Sequence, residues 1–128
     1  MSAPAAADAI LSAVRELRQL LASRGVPAWL NEGLATALET GTLDWAKKQA
    51  ATQPPVPLRV LQSGFDRFTG GQAQLAYATS ALAARRLLDE AGGFAIANLL
   101  RDLGEGAEFE AAFLHRVQRP FAEFQAMP

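Results

Sequence analysis

The residues of this chain whose types could support catalysis are glutamates, one histidine and one tyrosine, and their spacing does not assemble a site. His115 is the only histidine, and cysteine is absent. Disulfide scaffolds, thiolate zinc sites and cysteine nucleophiles are therefore excluded. The serines have no histidine or lysine arranged around them, and the aspartates are too dispersed to form a calcium loop. His115 falls opposite Phe109 and Phe113 on its predicted helix, which indicates a surface residue rather than a ligand.

Glu32 is the carboxylate with the most informative surroundings, the segment Val26–Glu39 with the sequence VPAWLNEGLATALE. A helical wheel groups the apolar and small residues of this segment on one face, roughly opposite Glu32. That face comprises Trp29, Leu30, Gly33, Leu34, Ala37 and Leu38. One interpretation is a solvated glutamate on an amphipathic helix. The other is a closely packed helix pair with Glu32 projecting into the seam, which Gly33 favours because a glycine inside a helix costs about 1 kcal/mol relative to alanine.

Two segments carry a resemblance to a known family. Pro27–Ala35, PAWLNEGLA, resembles the helix that supplies a glutamate as the third zinc ligand in gluzincin (peptidase MA-like) metallopeptidases. Leu75–Phe113 is similar to the family's downstream pattern of a tyrosine, a serine three residues later, a long helix, a Gly-Gly break, a leucine-rich helix and G-x-x-F-x-x-A-F. The resemblance implies an all-α fold like the C-terminal helical subdomain of thermolysin-like zinc peptidases. It also implies that Glu32 occupies a metal-binding position and Tyr77 a catalytic one.

The zinc-binding motif H-E-x-x-H of that family is missing. The best-placed pentapeptide is RELRQ, Arg15–Gln19, in which Glu16 would occupy the position of the general base. Arg15 and Gln19 would then stand where the two histidines belong. Zinc needs two neutral nitrogens from one helical face, whereas an arginine is permanently cationic and a glutamine amide is a poor ligand. Without zinc, nothing polarises a scissile carbonyl or activates a bound water, so the prediction is a metal-free protein with no cofactor.

The register of RELRQ stays open, because a glutamate on the solvated face of an amphipathic helix is common. If the register holds, Arg15 is expected to pair with Glu32 in the former metal site. The cleft that remains there would also be lined by Gln19, Asn31 and Ser80. Tyr77 has two interpretations: a group pointing towards the old cleft, or a core tyrosine whose hydroxyl finds one partner. The second is favoured, with Ser80 as a small helix-packing residue, because no oxyanion would be generated.

Periodicity predicts a single all-α domain, residues 1–128, of six or seven helices, with no alternating strand pattern. TQPPVP, Thr52–Pro57, is predicted to be a stiff connector, and Leu58–Phe68 either one helical turn or a packed loop. Pro27 is predicted as the first residue of its helix, and Thr42 as a helix N-cap. The predicted helices are Ala6–Ser23, Pro27–Thr40, Leu43–Ala51, Gln72–Ala91, Phe94–Leu103, Glu108–Val117 and Pro120–Met127.

Composition limits the partners. The formal net charge is −1 with a pI near 5.8, and the basic residues form no stripe, so neither nucleic acid nor an anionic membrane is expected to bind. No apolar run is long enough for a membrane span and the first residues lack a secretory pattern, so a cytoplasmic location is expected unless the chain was excised from a longer exported protein.

Three functions remain open from the sequence. The leading prediction is a non-catalytic relative of a gluzincin helical domain, a pseudoenzyme with a structural or a protein- or peptide-binding role, including self-association. The alternative is a zinc peptidase in which Glu32 is the third ligand and the histidines come from elsewhere. The third is an unrelated helical adaptor. An exposed Trp29 or Trp45 would favour a binding role, because large apolar side chains on a surface usually mark contacts.

Overall fold

Helices make up the regular secondary structure of the part of the chain that the computed structural model describes, residues 26–39, 43–54 and 56–126. The all-α prediction is therefore confirmed, and no strand occurs within these ranges. There are six α-helices and one short 3-10 helix in them. The α-helices are α1 (Ala28–Glu39), α2 (Asp44–Ala51), α3 (Gly70–Ala91), α4 (Gly93–Gly104), α5 (Phe109–Val117) and α6 (Phe121–Ala126), and the 3-10 helix is Leu58–Leu61. The predicted helix Ala6–Ser23 lies outside the described residues.

Two compact units are distinguished by their internal contacts. One spans Pro27–Arg86, and the other includes Leu87–Pro128. The expectation of a single domain over residues 1–128 stays a prediction.

The Pro27–Arg86 unit has a core rich in alanine. A cluster of small buried side chains joins α1, α2 and α3, with Leu82 packed against it. Because alanine projects only a methyl group, helices that meet through it approach closely. The cluster consists of Ala37, Leu43, Ala46, Ala78 and Ala81.

The Leu87–Pro128 unit is built around aromatic rings. Phe113 is fully buried at the centre of the cluster, with its ring centroid 5.6 Å from Phe109, 5.4 Å from Phe121 and 5.5 Å from Phe124. The rings meet in tilted and edge-to-face geometries, which favour aromatic pairs. These contacts join α5 to α6, and the predicted apolar stripe of α4 is also buried. That stripe is Ile96, Leu99, Leu100 and Leu103.

Helix termini differ from prediction by a residue or two, for identifiable reasons. The carbonyl of Pro27 accepts from the amides of Leu30 and Asn31, both at 3.1 Å, so Pro27 precedes α1 rather than beginning it. Leu43, not Thr42, is the N-cap of α2, and Thr42 lies outside the described residues. Glu108 is not the first helical residue but the N-cap of α5, because its carboxylate accepts from the amides of Glu110 at 2.9 Å and Ala111 at 3.0 Å.

The connector before α3 combines both predicted alternatives. Leu58–Leu61 forms one 3-10 turn with Leu58 and Leu61 buried, and a packed loop with turns follows up to Thr69. In the described ranges, none of the helices combines the length and the apolar character needed to cross a bilayer.

Candidate functional site

The helix that carries Glu32 is held at its start by the loop that follows the 3-10 turn. The amide of Ala28 donates to the carbonyl of Gln62 at 2.9 Å, which satisfies one of the amides that a helix N-terminus leaves without an internal partner. Asn31 and Glu32 are half-buried. The opposite face behaves as the wheel predicts, because Trp29, Leu30 and Leu34 are fully buried.

A close crossing between α1 and α3 takes place at Gly33. A Cβ added to Gly33 would overlap the backbone carbonyl oxygen of Ser80 and would lie 2.8 Å from its carbonyl carbon and 3.0 Å from the Cβ of Ala84. Only a glycine permits this approach, which explains why a residue unfavourable to helices stands in the middle of α1. The interpretation of Gly33 as a packing residue is therefore confirmed.

Ser80 lies in this crossing and is fully buried. Its Oγ has no hydrogen-bond partner within the described part of the chain. A buried hydroxyl without a partner costs free energy, so the residue contributes through its small size rather than through its polarity. The prediction that Ser80 is a small helix-packing residue is confirmed.

Tyr77 is not a core residue, so that prediction is wrong. Its side chain is 39% exposed, while one side of the ring packs edge-to-face on Phe65 with 4.9 Å between centroids. Periodicity along α3 places Tyr77 and Ser80 on one face, but the loop residue Phe65 covers only part of the tyrosine. Tyr77 therefore has the accessibility that a contact residue needs.

Arg67 organises the loop beside Tyr77 and has no counterpart in the sequence prediction. Its guanidinium donates to the carbonyl of Val60, to the Oγ of Ser63 at 3.3 Å and to the carbonyl of Gly64 at 3.4 Å. The same group lies over the ring of Phe68, with Cζ 4.7 Å from the centroid, a cation–π geometry. These contacts are local and lie within a turn-rich loop, where hydrogen bonding leaves no periodic signal in the sequence.

The structure describes the implied zinc site only in part. Arg15, Glu16 and Gln19 lie outside the described residues, so the expected Arg15–Glu32 pair stays a prediction. In residues 26–39, 43–54 and 56–126, no three histidine or acidic side chains are grouped so that they could hold a metal ion. The two tryptophans differ: Trp29 is fully buried, whereas Trp45 is 40% exposed.

His115 lies on the surface, as predicted, at the edge of an open depression of about 520 Å³ in the Leu87–Pro128 unit. The depression also contains a bidentate ion pair, in which Arg116 donates from Nε to Asp102 Oδ2 at 2.6 Å and from Nη2 to Oδ1 at 3.0 Å. These hydrogen bonds, reinforced by the guanidinium charge, hold the pKa of the Asp102 carboxyl below its ordinary value against the opposing effect of desolvation. The pair stabilises the contact between α4 and α5 and lacks a nucleophile or a ligand set.

Comparisons with known proteins found no relative of this chain. No protein-family model, no curated protein and no solved structure matches the chain.

Proposed function

We propose that this protein is a metal-free relative of the helical domain of gluzincin-type metallopeptidases, and that it binds a protein or peptide without hydrolysing it. The observation that carries the proposal is the crossing at Gly33 and Ser80. The resemblance identifies α1 as the third-ligand helix and α3 as the helix of Tyr77. Their close approach agrees with a common origin, since an accidental likeness in two separate segments would not require them to meet.

The loss of hydrolysis is argued from donor chemistry. Glu32 offers one carboxylate, and the positions that match the family's histidines hold Arg15 and Gln19. A cationic guanidinium repels a divalent ion, and an amide oxygen is a weak ligand for zinc. The binding role is supported by Trp45 and Tyr77, two large amphipathic aromatic side chains that the Pro27–Arg86 unit leaves exposed.

Metal analysis of the purified full-length chain tests the absence of catalysis. The expected result is zinc well below one equivalent after growth in zinc-supplemented medium, together with no cleavage of casein. Stoichiometric zinc that disappears in a Glu32→Gln variant but persists in Glu105→Gln, accompanied by casein hydrolysis, would contradict the proposal. That outcome would establish the zinc-peptidase alternative, with Glu32 as a ligand.

A further inference from the structure

A connected set of aromatic, aliphatic and arginine side chains joins the loop to the first half of α3 in the Pro27–Arg86 unit. We name it the aromatic strip and define it as Val60, Arg67, Phe68 and Tyr77, supported from beneath by Phe65. The members touch in sequence: Tyr77 packs on Phe65 at 4.9 Å, Phe65 on Phe68 at 6.4 Å, and Phe68 lies under the guanidinium of Arg67. Arg67 in turn donates to the carbonyl of Val60.

Two members of the strip are exposed and a third is partly exposed. Val60 is 40% exposed, Tyr77 is 39% exposed and Phe68 is half-buried. Phe65, in contrast, is buried, so the strip has a fixed base. Aromatic side chains held rigidly in this way lose little conformational entropy on binding, which makes them effective contact residues.

Charged residues are few in the stretch of sequence that contains the strip. The chain as a whole is 20% charged, yet across residues 49–84 the only charged residues are Arg59, Asp66 and Arg67. The centres of protein interfaces show the same composition, with few lysines and acidic residues and an excess of aromatic side chains and arginine.

The charge of Arg67 determines the kind of partner that fits the strip. The guanidinium of Arg67 is fixed by the loop carbonyls and by Phe68, so a carboxylate can approach it without reorganisation of the side chain. Arg67 is exposed, so the strip presents a fixed positive charge within an apolar surface.

We propose that the aromatic strip docks an apolar peptide segment of a protein partner, with a carboxylate of that segment placed against Arg67. This inference rests on the proposed binding function and specifies the partner of that function. The apolar part covers Val60, Phe68 and Tyr77, while the carboxylate supplies specificity through charge-assisted hydrogen bonds.

A displayed library of short random peptides, selected on the immobilised full-length chain, tests the proposal. Selected peptides are expected to combine apolar residues with Asp or Glu. Their affinity is expected to fall roughly tenfold for a Tyr77→Ser variant, as for loss of an interface anchor. Binding to Phe94→Ser, which removes an exposed aromatic residue of the other unit, should not change.

Two further measurements keep the outcome clear if a variant folds poorly. Peptides resynthesised with Gln for Glu or Asn for Asp leave the protein untouched, and they are expected to bind several-fold more weakly than the selected peptides. Amide shifts of the isotope-labelled chain on titration with a selected peptide should cluster between residues 60 and 77.

The proposal is overturned if selection enriches no peptide, if the amide peptides bind equally well, or if the shifts lie elsewhere. A concentration-dependent dimer that buries Tyr77 would assign the strip to a second copy of the chain instead. None of these results depends on zinc or on hydrolysis, so failure here and failure of the metal-free function are distinguishable.

Discussion

The Cα of Gly33 faces the backbone carbonyl of Ser80 so closely that no side chain fits between them, since a Cβ at residue 33 would lie 2.8 Å from the Ser80 carbonyl carbon. Backbone atoms cannot move aside as the end of a flexible side chain can. The helix that carries Glu32 and the helix that carries Tyr77 therefore depend on one glycine for their spacing. Each of the two residues at this contact gives a prediction of its own.

Replacement of Gly33 by alanine should destabilise the protein although alanine is the better helix former. The propensity gain is about 1 kcal/mol, whereas forcing a methyl group into a packed contact costs typically 1–3 kcal/mol. We expect a net loss of up to about 2 kcal/mol in the free energy of unfolding, measured by urea denaturation. The matched control is Gly71→Ala in the first turn of α3, where no atom lies within 4 Å of the added Cβ and the change should be neutral or stabilising. Equal effects of the two substitutions would contradict the packing argument.

Ser80→Ala should leave the protein equally or more stable. The substitution removes a fully buried hydroxyl that has no partner in the described structure, and it keeps the small volume that the crossing requires. The expected gain is about 0–1 kcal/mol in the free energy of unfolding. Ser80→Val, which adds volume at the same position, should cost stability instead. A marked loss with alanine would mean that the hydroxyl forms a hydrogen bond in solution.

Asp102→Asn should lower the melting temperature at neutral pH, and this difference should disappear in acid. The folded-state pKa of Asp102 lies below the unfolded value, so its contribution to stability is fully present above the unfolded pKa and is lost as the pH falls through the lower folded value. The relevant window begins near pH 4 and extends downward. Thermal unfolding followed by circular dichroism across this range measures the effect. A constant difference between the two proteins down to the lowest pH would refute the linkage, and Glu105→Gln is the control for a nearby exposed carboxylate.

Glu108→Ala should destabilise α5 by removing its cap. The carboxylate accepts from two amides of the first turn, and loss of an N-cap side chain costs about 0.5–2 kcal/mol. Glu108→Asp is the rescue variant, because aspartate is a preferred N-cap residue that can accept from the same amides. Chemical denaturation compares the three proteins. If alanine and aspartate behave alike, the side chain does not cap the helix.

Sequence periodicity accounts well for the helices and poorly for the loop. The stripe of Ile96 and Leu103 on α4 is predictable because a 3.6-residue repeat of large apolar residues has one way to be buried. Gly33 signals close packing through its propensity cost, but propensity cannot name Ser80 as the partner. Which residue approaches α1 depends on tertiary contacts that no local pattern records.

The candidate site also contains residues that the sequence predicts and residues that it does not. The fully buried Ser80 follows from its size and its helix face, whereas the exposed Tyr77 does not, because its environment depends on Phe65 from the loop. Arg67 is missed for a related reason. Its acceptors are the carbonyls of Val60 and Gly64 and the Oγ of Ser63, and the path of the loop that brings them to Arg67 cannot be inferred from residue type.

The buried Trp29 and the exposed Trp45 give the protein a built-in optical probe. The chain contains two tryptophans and one tyrosine, and all three fall within Pro27–Arg86, so near-ultraviolet emission reports on that unit and is blind to Leu87–Pro128. A water-soluble quencher such as iodide should quench the red-shifted emission of the exposed Trp45 and leave the blue-shifted emission of the buried Trp29 unchanged. Fluorescence and far-ultraviolet dichroism recorded on one sample thus reveal whether the two parts melt together or apart.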